Sequence, residues 1–353
     1  MQHAIAAGLK AHAAHDLRPM PPARQRLEWI DLFRGLAVIG MIETHAGNTF
    51  LDAGLQKTGA WPEITYYNGL IAPAFFWILG YVRGLSFQKS PTPKPAWPSV
   101  KRLLMILAVG YAMHLPYGLL SHGDFSEPAL WSMFMVDVLQ CLAVSGLMLV
   151  LFERVPKITN IAVSLAFVFF VVFSDRAQTL RTGFIPLDSF LTSEHGSLFP
   201  LFPWAAFALA GFITSKTGIT NARMFIISIV LAFGIRHVPR FDWSIAFFLE
   251  RLGWVMLLAF ITSTALEKLC QRARPATGWL YLAGRESLVV YVMHLALIHA
   301  LPWPAMSPEK QIGATQAPWI VAALFVVLLA LSVGTAAFNE WRKRRNSELE
   351  SRL

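Results

Sequence analysis

The chain has 353 residues, 55% of them hydrophobic and only 14% charged, with a formal net charge of +9 and a mean hydropathy of +0.50. Such an apolar composition excludes an ordinary soluble globular domain. It also leaves no folded soluble surface on which basic and aromatic residues could interleave to read nucleic acid, so the positive charge needs another explanation.

Residues 1–28 contain the polar, Pro-rich segment RPMPPARQR and lack the successive regions of a cleaved signal peptide. They read as a disordered cytoplasmic tail, with the first span acting as an uncleaved targeting signal. From there to residue 340, apolar stretches of roughly 15 to 22 residues recur, each near the length that crosses a hydrocarbon core. They lie near 29–48, 66–87, 101–120, 132–152, 158–174, 198–215, 222–236, 243–266, 279–301 and 317–339. The expected fold is an all-α polytopic membrane domain over 29–340 with about ten transmembrane helices. The stretches at 158 and 222 are short enough to be tilted or re-entrant.

The segment SPTPKPAWPS at 90–99 cannot continue a helix and reads as a cytoplasmic loop. On the far side the substantial loops are 48–65, 121–131 and 175–197, with Trp61, Trp131 and Trp243 at interface depth as belt residues. Most Lys and Arg residues fall in loops on the N-terminal side, which is the positive-inside rule at work. Arg342, Lys343, Arg344 and Arg345 share that side with Arg24 and Arg26, so both termini are expected to be cytoplasmic and 341–353 to form a basic tail. Cys141 sits in an apolar helix and Cys270 in a cytoplasmic loop. They lie at opposite depths, with no disulfide, zinc or haem spacing.

The first span, IDLFRGLAVIGMIETHA, carries Asp31, Arg34 and His45 on nearly one face: Arg34 and His45 fall roughly 20° apart and Asp31 about 40° from His45. Ionisable groups inside a membrane are costly and point to function. Asp31 and Arg34 are either a self-neutralising ion pair or a fixed cation with its orienting carboxylate, set for an anionic ligand from the cytoplasm. His45 lies a rise of roughly 21 Å from Asp31, close to the reach of an extended pantetheine arm. A coenzyme A thioester gripped by its phosphates at the cytoplasmic mouth would therefore present its acyl carbon beside the imidazole. That ring would take the proton of an incoming hydroxyl or amine. The competing reading makes His45 a hydrogen-bonded packing residue.

Other ionisable groups fall into two layers. Arg285 and Glu286 lie toward the cytoplasm, Arg285 as a snorkelling side chain or a donor contact, and Glu286 pairing with it or with a helix N-terminus. His114, Asp137, Glu250, Arg251 and His294 lie toward the far side. Asp137 is the better partner for His45 if the first and fourth spans touch, whereas Glu43 points about 160° away from that ring. His294, with Tyr291 and Ser287 near its side of the ninth span, either orients an acceptor and shares a proton relay or packs. Adjacent Glu250 and Arg251 project about 100° apart and bond different neighbours or shape an acceptor pocket with His114.

The run RLEWIDLFRGLAVIGMIETHA, followed in order by IAPAFFWILGY at 71–81, VLQCLAV at 138–144, LFPWAAFALAG at 201–211, RLGWVMLL at 251–258 and LAGRESLVVYVMHL at 282–295, resembles the bacterial relatives of heparan-alpha-glucosaminide N-acetyltransferase. The likeness runs from about residue 26 to 300. It implies transfer of an acyl group, usually acetyl, from cytoplasmic acyl-CoA to a sugar amine or hydroxyl across the membrane. It carries Asp31 and Arg34 over as first-span motif residues, and His45 matches the histidine of the broader O-acetylating membrane families. The lysosomal enzyme places its catalytic histidine in the loop after the first span, yet this chain has no histidine between 46 and 113. Either His45 takes over the chemistry, transfer is direct within a ternary complex, or the activity has diverged.

The expected assignment makes His45, Asp137 and His294 catalytic, Asp31, Arg34 and Arg285 donor-binding, and His114, Glu250 and Arg251 acceptor-binding, with acetyl-CoA or another acyl-CoA as donor and no metal. The expected setting is a bacterial inner membrane, with lipid, acyl-CoA and a sugar or glycolipid as partners and room for a homodimer. The rivals are a secondary transporter, whose pathways also use aligned charges, and a scaffold whose polar groups only join helices.

Overall fold

The computed structural model describes residues 27–350 apart from 90–94, 116, 118–122, 124–125, 127–131, 194–195, 236–242 and 301–305. The expectations for residues 1–26, for 90–94 of the Pro-rich loop, for Trp131 and for 351–353 lie outside the described residues, as does the Trp243 side chain.

The described chain is helical, with no strand beyond an isolated bridge between Leu51 and Gln316. Helix α1 spans Glu28–Phe50, α2 Trp61–Asn68, α3 Ile71–Lys89, α4 Trp97–Met113, α5 Val138–Phe152 and α6 Thr159–Val172. The second half contributes α7 Leu201–Thr214, α8 Ala222–Ile229, α9 Trp243–Ile261, α10 Arg274–Arg285, α11 Ser287–His299 and α12 Pro318–Glu350. The local causes are conventional. Acidic Glu28 and Asp31 occupy the first turn of α1, where the helix dipole favours negative charge. Proline opens α2, α4 and α10, where its missing N–H removes no bond. Each apolar stretch of the sequence is largely helical in its described residues. Trp61–Lys89, Ser244–Arg272 and Pro318–Leu349 are each long and apolar enough to cross a membrane alone.

Three details correct the sequence reading. The ninth stretch is no straight span: α10 and α11 meet at Glu286 with a bend of 84°. Asp137 is not inside the fourth span but caps it. Its carboxylate accepts the Val138 amide at 2.7 Å, while Gln140 bonds back to the Asp137 amide. Such a capping box satisfies helix-end donors that an apolar setting cannot. Cys270 is buried in the helix Glu267–Arg272 instead of lying in a loop.

Lipid tails give helices little hydrophobic reason to associate, so small residues that let backbones approach decide which helices pair. Gly80 of α3 faces the Ala208 carbonyl of α7, and Gly211 of α7 faces the Trp77 carbonyl of α3. Gly35 of α1 and Gly284 of α10 do the same for Leu280 and Asp31. A Cβ at any of the four would strike backbone. The α3–α7 crossing centres a core of Phe76, Trp77, Phe207, Phe212 and Phe248. A second core joins α1, α11 and α12 through Ile42, Ala46, Val290, Leu295 and Leu328. The α1–α10 crossing matters most for the site, because it brings Arg285 and the break at Glu286 beside the Arg34 end of α1.

Candidate functional site

A cavity of about 710 Å³ runs through the helical body. Its lining includes Arg34, Arg83, Arg102 and Arg285 together with His45, Asp137 and Tyr291. The positions of these residues along their helices set the two ends. Arg34 and His45 are eleven residues apart on α1, a rise of roughly 16 Å, so the arginines mark one mouth and the imidazole stands deep toward the other.

At the basic mouth, Arg83 donates to both carboxylate oxygens of Glu153 and, from Nη1, to Ser99 Oγ at 3.1 Å. Ser86, Ser99 and Ser287 add hydroxyls to the lining. Arg285 Nη2 lies 3.0 and 3.1 Å from the two oxygens of Glu340 on α12. Glu286 turns instead to Lys343 and Asn339, at 2.6 and 2.9 Å. Each of the two is thus held by its own partners on α12. Asp31 is buried on α1.

At the deep end, His294 Nδ1 lies 2.9 Å from the Val290 carbonyl oxygen, and His294 Nε2 lies 2.9 Å from His45 Nδ1. The first contact requires His294 to donate from Nδ1. A neutral His294 then accepts at Nε2, His45 donates from Nδ1, and the lone pair of the His45 ring is left on Nε2. The contact between the two imidazoles thus leaves an open lone pair on the ring that borders the cavity. Asp137 pairs with His114, whose Nε2 is 2.8 Å from its Oδ2, and shares the cavity lining with Tyr291, whose ring stands edge-on to His294. His45, His294, Tyr291, Asp137 and His114 form one polar cluster, in which the partner of His45 is His294 and not Asp137. His299, the remaining histidine of that helix, bonds Glu309 at 2.7 Å.

Glu250 and Arg251 lie outside the cavity lining. The Tyr66 hydroxyl donates to Glu250, Arg251 donates to the Tyr66 carbonyl, and the guanidinium stacks 4.1 Å above the Tyr66 ring. The pair clamps the turn between α2 and α3, where Asn68 lines the cavity and donates to Glu43 at 2.6 Å. Arg83, Arg102 and Asn68 are cavity residues that sequence reasoning passed over. A lone arginine on the apolar run WILGYVRG was the available signal for the first.

The catalytic profile of heparan-alpha-glucosaminide N-acetyltransferase matches residues 26–235. The chain belongs to that family. No curated protein matches it. The heparan-alpha-glucosaminide N-acetyltransferase match covers Asp31, Arg34, His45, His114 and Asp137 and stops short of Glu250, Arg251, Arg285 and His294. Arg285 and His294 nevertheless fold onto the first group, since α10 and α11 pack on α1, whereas Glu250 and Arg251 on α9 stay outside the cavity lining. Family membership makes the chain a transmembrane transferase of the acetyltransferase type.

Proposed function

We propose that the protein transfers an acetyl or similar short acyl group from cytoplasmic acyl-CoA to an amine or hydroxyl of a sugar or glycolipid on the periplasmic side of a bacterial inner membrane. The observation that supports this reading is the continuity of one cavity from Arg34, Arg83, Arg102 and Arg285 to His45. Guanidinium groups match phosphate oxygens in charge and fork geometry, and the rise along α1 suits a pantetheine arm laid between the two ends.

In this reading the acceptor oxygen or nitrogen attacks the thioester carbonyl as His45 Nε2 removes its proton. The carbon–sulfur bond breaks, and the departing thiolate takes a proton from the imidazolium. His294 holds the His45 tautomer and spreads the positive charge that develops. Asp137, held by His114 and by its capping duty, sets the negative side of the pocket.

Membranes containing the protein, incubated with radiolabelled acetyl-CoA, should pass label to a glycan or lipid fraction, and His45→Ala should abolish transfer while sparing donor binding. Undiminished transfer in that variant removes His45 from the chemistry. The break between α10 and α11 lends the transporter reading one observation, because discontinuous membrane helices also build transport sites. Proton-coupled uptake into vesicles lacking acyl-CoA would favour it.

A further inference from the structure

Arg285 borders the cavity, yet its guanidinium is held by a carboxylate from the far end of the chain. Glu340 lies on α12, fifty-five residues along, and spans both of its oxygens to Arg285 Nη2. Its Oε1 also accepts from Arg344 Nη2 at 2.6 Å, one helical turn further on. One cation therefore faces the cavity and the other faces solvent: the side chain of Arg285 is 28% exposed, that of Glu340 22% and that of Arg344 71%. A carboxylate shared between an inward and an outward arginine can leave the first without being left unpaired.

We propose that Glu340 is an exchangeable counter-ion of the donor site, a residue that sets which anions may enter the arginine mouth and helps to expel the spent donor. The proposal rests on the reading of that mouth as the donor site. In the empty protein Glu340 neutralises Arg285, so the guanidinium is not left exposed in a partly apolar channel. A phosphate group arriving at the mouth replaces the carboxylate, which swings wholly to Arg344. A phosphate with more than one negative charge and three acceptor oxygens competes well against a single carboxylate, whereas a simple carboxylate ligand gains nothing from the exchange. The return of Glu340 to Arg285 then opposes rebinding of the product.

The placement of the exchange gives it leverage. Arg285 is the last residue of α10, Glu286 is the bend, and α11 beyond it carries Tyr291 and His294. Lys343 and Asn339 of α12 hold Glu286, so the bend stays tied to α12 while Glu340 changes partner. The shift is confined to one side chain and does not require the His45–His294 contact to break.

The test uses the purified full-length protein in detergent, titrated with acetyl-CoA and separately with inorganic pyrophosphate. Glu340→Gln should tighten both about two- to fivefold, the scale of a partly exposed ion pair, and Glu340→Asp, with a shorter reach, should do the same to a smaller degree. Arg344→Gln should weaken both, because the carboxylate loses its alternative cation. Arg345→Gln removes an equal charge that touches Trp341 and not Glu340, and should leave both affinities unchanged. In an Arg285→Ala background Glu340→Gln should have no effect. Mere destabilisation would not yield opposite signs at 340 and 344. If the wild type binds both probes and neither Glu340 variant binds more tightly, the exchange is overturned and the donor reading stands. Tightening toward pyrophosphate by a protein that ignores acetyl-CoA supports the exchange and sinks the donor reading. A wild type that binds neither probe overturns both.

Discussion

The Nε2 atom of His294 stands 2.9 Å from Nδ1 of His45 although 249 residues separate them along the chain. The direction of this bond is fixed from the other side, by the Val290 carbonyl that His294 Nδ1 must face. If it holds the His45 tautomer, His45→Ala should lower acetyl transfer by about 10²–10⁴-fold, the usual worth of a general base. His294→Ala should lower turnover with little change in donor KM, and His294→Gln, whose amide oxygen can still accept from Nδ1–H, should restore part of it. Equal activity in His294→Ala and wild type would remove the relay.

Asp137 separates a helix-capping role from its role as the hydrogen-bond partner of His114. Asp137→Ala should lower stability by about 0.5–2 kcal/mol through loss of the cap alone, with a further loss from the abandoned His114 imidazole. Asn also caps well, so Asp137→Asn should recover most of the first loss and none of the second. Thermal unfolding in detergent reads the difference, and identical midpoints for Ala and Asn would show that capping contributes nothing here.

Gly284 sits against the Asp31 carbonyl where α10 crosses α1. Gly284→Ala forces backbone apart and should destabilise the protein by about 1–3 kcal/mol, the range for overpacking. Because Arg285 follows immediately, acetyl-CoA affinity should fall in the same variant. Gly278, in the same helix and facing open space, is the control: its change to Ala should be neutral or mildly stabilising.

Arg251 and Glu250 differ from the cavity arginines in what they touch. Arg251→Met should destabilise the α2–α3 turn, because it strips the Tyr66 carbonyl and ring of the guanidinium, at a cost of about 1–3 kcal/mol for a buried acceptor left without its donor. Donor affinity of the folded fraction should stay within about twofold of wild type. A large loss of affinity with unchanged stability would return Arg251 to the ligand site.

The loop segment 182–188 supplies a pH prediction. The Thr182 hydroxyl and amide and the Gly183 amide all donate to the Asp188 carboxylate, and these bonds, the hydroxyl foremost, hold its pKa below the ordinary carboxylate range. A lowered folded-state pKa means a contribution that is complete above the unfolded value of about 3.9 and is lost as pH falls through the lowered one. Hydrogen exchange in this segment, taken relative to the intrinsic amide rate at each pH, should thus be flat from neutrality down to about pH 5 and rise only in stronger acid. Asp188→Asn should abolish that rise, and an onset near pH 6 would contradict the assignment.

Periodicity and composition by themselves determined that the protein is a helical membrane domain and that Asp31, Arg34 and His45 share one face of its first span, because the angle around a helix axis follows from residue spacing alone. Of that stripe, Arg34 and His45 border the cavity. What the tertiary structure decided is who meets whom: His45 with His294, Asp137 with His114, Arg285 with Glu340, and Arg251 with Tyr66. Those pairings depend on which helices approach closely. In a membrane that choice rests on a few glycines opposite backbone carbonyls and on one sharp bend at Glu286, features that carry no periodic signal and acquire meaning only when both partners are in place.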